Sequence, residues 1–418
     1  MAIAESIASA PNIFKVLYPD GISKPLYGES YLLGSMKKDT TFYGQGAKYV
    51  VVSIAPGSGG SSSIATAIAN QGSTQEVRFQ LPRKKLYEVG SIDGETIFAG
   101  RDKKGAIVDI VRHTMDRALE AFGVTLSRAA WGNGGGARGQ IATTSNLATS
   151  TVTLTSRVDA NAFFKNMFVQ AAVDDGYSGS AGVLGAGIQV QLGQVQRLNA
   201  ATGTTSLTLA SGNWNQIPGL TTSSYLFRSG DYAGYPSGIP AWAPQVDPTV
   251  SDSFLGVNRF TAGDLNFLSG WRVLGTGQPK QQTLIDMGAE AKQNGLTGIK
   301  TVFMNPLDMR DAFKEQSTFK TIDVDVSGVK IGYNALTLQS AVGNMNVFSE
   351  TWIPRGYAWA LDPSTWTMRS AGDVPMLLDV DGIKMFLRNP GSDDYQFRYG
   401  CYMNFENAEP ARAIVGTL

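Results

Sequence analysis

The residues of this chain that could do chemistry are few, and their spacing argues against most of what they suggest. Gly134-Gly135-Gly136-Ala137-Arg138-Gly139 fits G-x-G-x-x-G, the pattern whose backbone amides cradle a dinucleotide pyrophosphate. That geometry needs a strand before the glycines and a helix after them. Here the glycines follow a helical run, so they read as a helix stop. No Gly-Lys dipeptide occurs, which removes the phosphate-binding loop of the P-loop nucleotidases. His113 is the single histidine, so a Ser-His-Asp arrangement would have to use it. It lies inside the same helical run and is read as a helix-surface or subunit-contact residue. Cys401 is the single cysteine, which excludes an intrachain disulfide and any CxxC zinc pair. Asp379-Val380-Asp381-Gly382 opens like a calcium loop but lacks the later acidic ligands, and reads as a β-turn. Two carboxylates of the glycosidase kind can lie far apart in a chain, and nothing marks a particular pair. No catalytic, cofactor-binding or metal-ligating residue is assigned, and the chain is expected not to be an enzyme.

One set of basic residues, Lys48, Arg78, Arg83, Lys84 and Lys85, gathers around a single segment. A nucleic-acid patch is one reading; solvated strand edges, or salt bridges to neighbouring copies, is the reading preferred. The bulk charge agrees, because Lys plus Arg equals Asp plus Glu at 35 each and no basic excess announces nucleic acid. Only 17% of the 418 residues are charged, sparse for a free monomer, which points to a surface covered by neighbours. The length allows two or three compact units. The N-terminus has no basic region followed by an apolar core, and no stretch reaches 18 uncharged apolar residues, so a soluble intracellular product is expected.

These residues are carried by a succession of elements: a glycine-tipped β-ribbon, a long amphipathic helix, and a glycine run. The ribbon arms read Ala47 to Ile54 and Glu76 to Leu81, and the second alternates Val77, Phe79, Leu81 against Glu76, Arg78, Gln80 as a half-buried strand should. Such arms would project roughly 25 to 30 Å at about 3.3 Å per residue. A lone ribbon of that length is marginal in water and is expected to need a surface belonging to another molecule. Its tip, with Gly57, Gly59 and Gly60, is expected to order only against a neighbour. Pro82 ends the ladder, leaving Arg83, Lys84 and Lys85 at the base. From Ala106 to Trp131, Ile107, Val108, Val111, Met115, Ala118, Leu119, Phe122 and Leu126 recur at helical spacing. Gly132 onward then supplies the left-handed cap.

Residues 1–41 read as an extended arm laid along a surface, and 150–232 as short strands at the spacing of a small antiparallel barrel or sandwich. A proline-rich strap near 234–244 leads into mixed α and β. There a helix near 281–293 precedes the strand Thr301-Val302-Phe303-Met304, then Asn305-Pro306 and a second helix.

In this order the elements resemble the major capsid proteins of tailed bacteriophages, the Hong-Kong-97-like fold. Four segments carry the resemblance: the ribbon at 42–99; the spine-like helix ending in Trp131-Gly132-Asn133-Gly134-Gly135-Gly136; Thr301-Val302-Phe303-Met304-Asn305-Pro306; and Gly356-Tyr357-Ala358-Trp359-Ala360-Leu361-Asp362-Pro363-Ser364-Thr365-Trp366. The resemblance implies an α+β chain with an N-terminal arm (1–41), an extended loop (42–99), a peripheral domain with the spine helix (100–149, 233–304 and 376–418), an axial domain (305–375) and an inserted small β-barrel or sandwich module (150–232). It also implies self-assembly through hexameric and pentameric capsomers into an icosahedral shell around a double-stranded DNA genome, built in the bacterial cytoplasm and ending in the virion. A separate scaffolding protein, a portal, a possible decoration protein, weak nonspecific contact with packaged DNA and no membrane partner follow from the same likeness. Some relatives join a loop lysine to a neighbour's asparagine; no lysine lies between Ala55 and Gln75 here, so noncovalent shells are expected. The rival readings are a glycan-binding or adhesive virion protein using 150–232, an encapsulin-like compartment shell, and a glycosidase using carboxylates alone.

Overall fold

The computed structural model describes residues 30–44, 47–54, 61–70, 72, 74–95, 104–296, 298–319, 336–378, 387–388 and 393–418. Over these described residues the chain is mixed α and β, with three six-stranded sheets and one two-stranded ribbon. The ribbon arms are Ala47–Ile54 and Gln75–Pro82, paired antiparallel so that Val50 faces Phe79 and Val52 faces Val77. Side chains alternate across a strand, so this register collects Val50, Val52, Ile54, Val77, Phe79 and Leu81 on one face, and all six are buried.

What buries them corrects an expectation. The apolar face of the ribbon lies on its own chain, against Trp242, Phe254 and Leu268 in one continuous core. The Gln80 amide also donates to the Leu255 carbonyl at 3.0 Å. Each large apolar side chain so covered contributes roughly 1.5–3 kcal/mol, so the described part of the ribbon holds without borrowing a surface. The covering segment lies far along the chain, where no local pattern announces it.

The body sheet is built on the long strand Asp394–Asn407. Lys84–Asp93 runs antiparallel to it from Met403↔Lys84 to Asp394↔Asp93. Residues 84–93 therefore belong to this sheet and not to a free ribbon base. Gly90 makes the pairing possible, since a Cβ there would fall 2.0 Å from the Phe397 ring. On the other side Trp366–Ser370 pairs antiparallel with the long strand and parallel with Lys37–Asp39. This second finding corrects the extended arm over its described part. Tyr31–Ser35 is a short helix with Leu32 and Leu33 buried, and Lys37–Asp39 is a sheet strand tied through Asp39 to Arg369. Residues 1–29 lie outside the described residues.

The spine helix spans Lys104–Ala130. Met115, Ala118, Leu119, Phe122 and Leu126 form its buried stripe, as the three- and four-residue spacing requires. It ends at Ala130, just before the glycine run, and within that run the left-handed residues are Gly134 (φ 91°) and Gly136 (φ 85°).

A second sheet takes strands from Gly139 to Arg228 in the order 139–140, 225–228, 168–172, 190–196, 206–209, 151–153. Its two edges meet through an antiparallel bridge between Ile141 and Leu154. Val152, Phe163, Val169, Leu192, Leu207, Trp214 and Leu226 fill a core of its own. The third sheet places Thr301–Met304 between Tyr357–Leu361 and Gly343–Ser349 and packs on helix Lys280–Gln293. Helix Pro306–Phe319 starts where the Asn-Pro step directs it, because Asn305 accepts from the Leu307 amide (2.9 Å) and donates to the Ile353 carbonyl (2.8 Å). Among the described residues no helix is long and apolar enough to cross a membrane.

Candidate functional site

With its inner face on the body, the ribbon offers its outer face. Tyr49 and Val51 are exposed there, 64% and 45%, beside Arg78 and Gln80. Near the tip a short helix, Ile64–Ala69, buries none of its residues and leaves Ile64 and Ile68 81% and 62% exposed. Residues four apart share one helix face, so these two isoleucines make a small apolar ridge. Exposed apolar groups grouped this way mark contact surfaces.

The basic residues do not act as one patch. Arg83 turns inward, donating to the carbonyls of Phe42 (2.8 Å) and Gly44 (3.4 Å). Lys84 donates to the Ala233 carbonyl at 2.9 Å, and burial lowers its pKa from the ordinary lysine value. Lys48, Arg78 and Lys85 are exposed on their strands. Gly57, Gly59 and Gly60 lie outside the described residues, as do Asp379 to Gly382 and the side chain of His113.

Sequence reasoning missed Arg259. Only 1% exposed, it pairs with Asp252 through Nε (2.9 Å) and Nη2 (3.1 Å), and donates to the carbonyls of Ala241 and Trp242 and to the Tyr177 hydroxyl. Its guanidinium also sits 4.5 Å from the Phe254 ring centroid. These contacts fasten the segment on which the ribbon rests. An arginine between Leu255 and Phe260 was the only available signal, and its partners are not readable from spacing.

Cys401, Asp308 and Glu350 are committed to structure. The Cys401 thiol is buried and pushed up to about 12, which leaves no thiolate to attack anything near neutral pH. Asp308 is held by Lys280 and accepts from the Gly356 amide at 2.8 Å. Buried Glu350 accepts from Ser30 Oγ at 2.8 Å, and burial raises its pKa. No group of three His, Cys, Asp or Glu among the described residues could hold a metal. The glycine run serves close approach: a Cβ on Gly135 would lie 2.1 Å from the Asp175 carbonyl oxygen, and one on Gly136 2.3 Å from that of Asp231. The glycines thus seat the end of the spine helix against the sheet of 139–228.

No family model matches this chain, and no curated protein matches it by sequence. Solved structures do. A chain of the cyanophage A-1(L) capsid asymmetric unit is similar over 93% of this chain and 92% of its own, with TM-score 0.53 and 11% identity. A chain of the capsid of a native GTA particle is similar over 93% and 89%, with TM-score 0.44 and 11% identity. The cyanophage similarity shows a shared fold along nearly the whole of both chains.

Proposed function

We propose that this chain is a structural major capsid protein, whose copies assemble into the icosahedral shell that encloses the double-stranded DNA of a tailed phage. The observation that carries this reading is the fold shared over 93% of the chain with a capsid subunit. The mechanism is geometric. The body sheet, the spine helix and the third sheet make a rigid subunit, and the outer face of the ribbon with Tyr49, Val51, Ile64 and Ile68 lies on a neighbouring copy. Many weak contacts of this kind, repeated under symmetry, close a shell.

In this reading 42–83 is the extended loop, with 84–93 already in the body sheet; 100–149, 233–304 and 376–418 form the peripheral part, and 305–375 the axial part. The sheet of 139–228, with its own core and joined edges, is an inserted β-barrel; the bridge from Ile141 to Leu154 supports that assignment. Hexameric and pentameric capsomers, a scaffolding protein, a portal and a decoration protein are the partners, and the packaged DNA meets a near-neutral wall through weak contacts. The shell forms in the bacterial cytoplasm and ends in the virion.

Negative-stain microscopy of the purified chain tests this directly. Shells, capsomers or sheets are expected as concentration rises. A monodisperse monomer at every concentration, above all one that binds glycans, would sink the proposal.

A further inference from the structure

Where the spine helix ends, a cavity of about 110 Å³ opens between its last turn, the glycine run, the segment around Asp159, Tyr235 and Trp352. Two arginines line it. Arg138, 7% exposed, donates through Nη1 to the Ala162 carbonyl (2.8 Å) and through Nη2 to Asp231 and the Tyr235 hydroxyl (both 3.2 Å). Its Nε is sealed from solvent and has no partner. Arg128, on the last turn, lies over the Tyr235 ring at 4.5 Å and reaches the Ala137 carbonyl at 3.4 Å, while its Nη2 is likewise sealed and without a partner.

An orphaned buried N–H on a charged group is costly, and here two such groups line one small space. The compensating carboxylates are too few. Asp231 pairs with Arg138, and Glu88 beyond it is nearest Arg228, at 3.9 Å. Asp159 faces the cavity, but burial lifts its carboxyl to about 7, so it holds a proton through the acidic range. The excess charge is positive, the donors are the forked kind suited to oxyanions, and the space is that of a small ion and a few waters.

We propose that this cavity binds a small tetrahedral oxyanion, phosphate or sulfate, between Arg128 and Arg138. The bound anion would lie between the two guanidinium groups and join the spine helix to the sheet of 139–228. Binding should weaken as Asp159 ionises and competes for Arg128. The groups that set this response are Asp159, Asp231, Glu88, Arg128, Arg138 and Tyr235.

Calorimetric titration of sulfate, which stays a dianion from pH 6 to pH 8, into the full chain, as capsomers or shells at fixed ionic strength in chloride, provides the test. One saturable site per chain is expected at pH 6, weakening toward pH 8. Arg128→Met should lose roughly ten-fold or more in affinity, the worth of a charged hydrogen bond. Asp159→Asn should keep the pH 6 affinity at pH 8, and it decides the matter if the arginine variant does not fold. A duplex oligonucleotide without terminal phosphates should not compete. Absence of saturable binding, a folded Arg128→Met with unchanged affinity, an Asp159→Asn profile parallel to the parent, or displacement by the oligonucleotide would each overturn the proposal.

Discussion

Phe79 of the ribbon and Trp242 of the segment beneath it meet edge to face, ring centroids 5.2 Å apart, and Phe254 closes the trio at 5.9 Å from Phe79 and 5.0 Å from Trp242. The indole N–H of Trp242 donates to the Phe405 carbonyl at 3.0 Å, so the same ring that receives the ribbon is anchored in the body sheet. The ribbon is thereby aimed by the subunit that carries it.

Phe79→Ala removes the centre of this trio. Truncating a fully buried phenylalanine costs about 3–5 kcal/mol, and the loss should appear as a lower urea midpoint. Because the ribbon loses its seat, amides of Val50, Val52 and Val77 should exchange faster in the variant. Unchanged protection at those amides would show that the ribbon is held by something other than the trio.

Leu119→Asp places a carboxylate in the buried stripe of the spine helix, at a position 7% exposed. The expected cost is several kcal/mol, read as insoluble or non-assembling protein. Normal particles from this variant would mean that the stripe is not a core face.

Asp159 makes stability depend on pH with a definite sign. Its native carboxyl titrates at about 7 against an ordinary 3.8, so between those values the folded chain binds more protons than the unfolded one. Stability is therefore lost as pH rises across that window. Asp159→Asn removes this slope, and urea unfolding of parent and variant at several pH values between about 4 and 7 should show the parent falling relative to the variant. Parallel curves would refute the assignment of a protonated Asp159.

Shells of this chain should fall to a single band of monomer mass when boiled in detergent. A lysine-to-asparagine bond needs a neutral lysine beside a proton-accepting carboxylate. No lysine lies between Ala55 and Gln75, Lys84 is engaged with the Ala233 carbonyl, and Lys48 sits exposed opposite Leu81. A ladder of oligomers surviving that treatment would contradict this.

Elements with a local period were legible in the sequence. The alternation through Val77, Phe79 and Leu81, the stripe from Met115 to Leu126, and the Asn305-Pro306 helix start all stand where spacing put them. What was not legible depends on partners far away in the chain. Lys37–Asp39 is short and mostly exposed, and becomes a strand only beside Thr367 to Arg369. Lys84–Asp93 reads as the foot of a ribbon until Asp394–Asn407 is set against it. Arg83 and Lys84 read as surface charge because the carbonyls they bind, on Phe42, Gly44 and Ala233, carry no sequence signature. For the same reason neither Arg259 nor the paired Arg128 and Arg138 could be recognised from composition or spacing.

The pairing of Lys84 with Met403 also sets a timetable for synthesis. At about 5–20 residues per second, the first of these strands leaves the ribosome on the order of half a minute before the second exists. Until then its apolar side chains, with those of the spine helix, lack their cover. The sheet of 139–228 draws every strand from one stretch and can close on itself in that interval. The nascent chain thus passes through a stage in which the sheet of 139–228 has all its strands while the body sheet still waits for its central one.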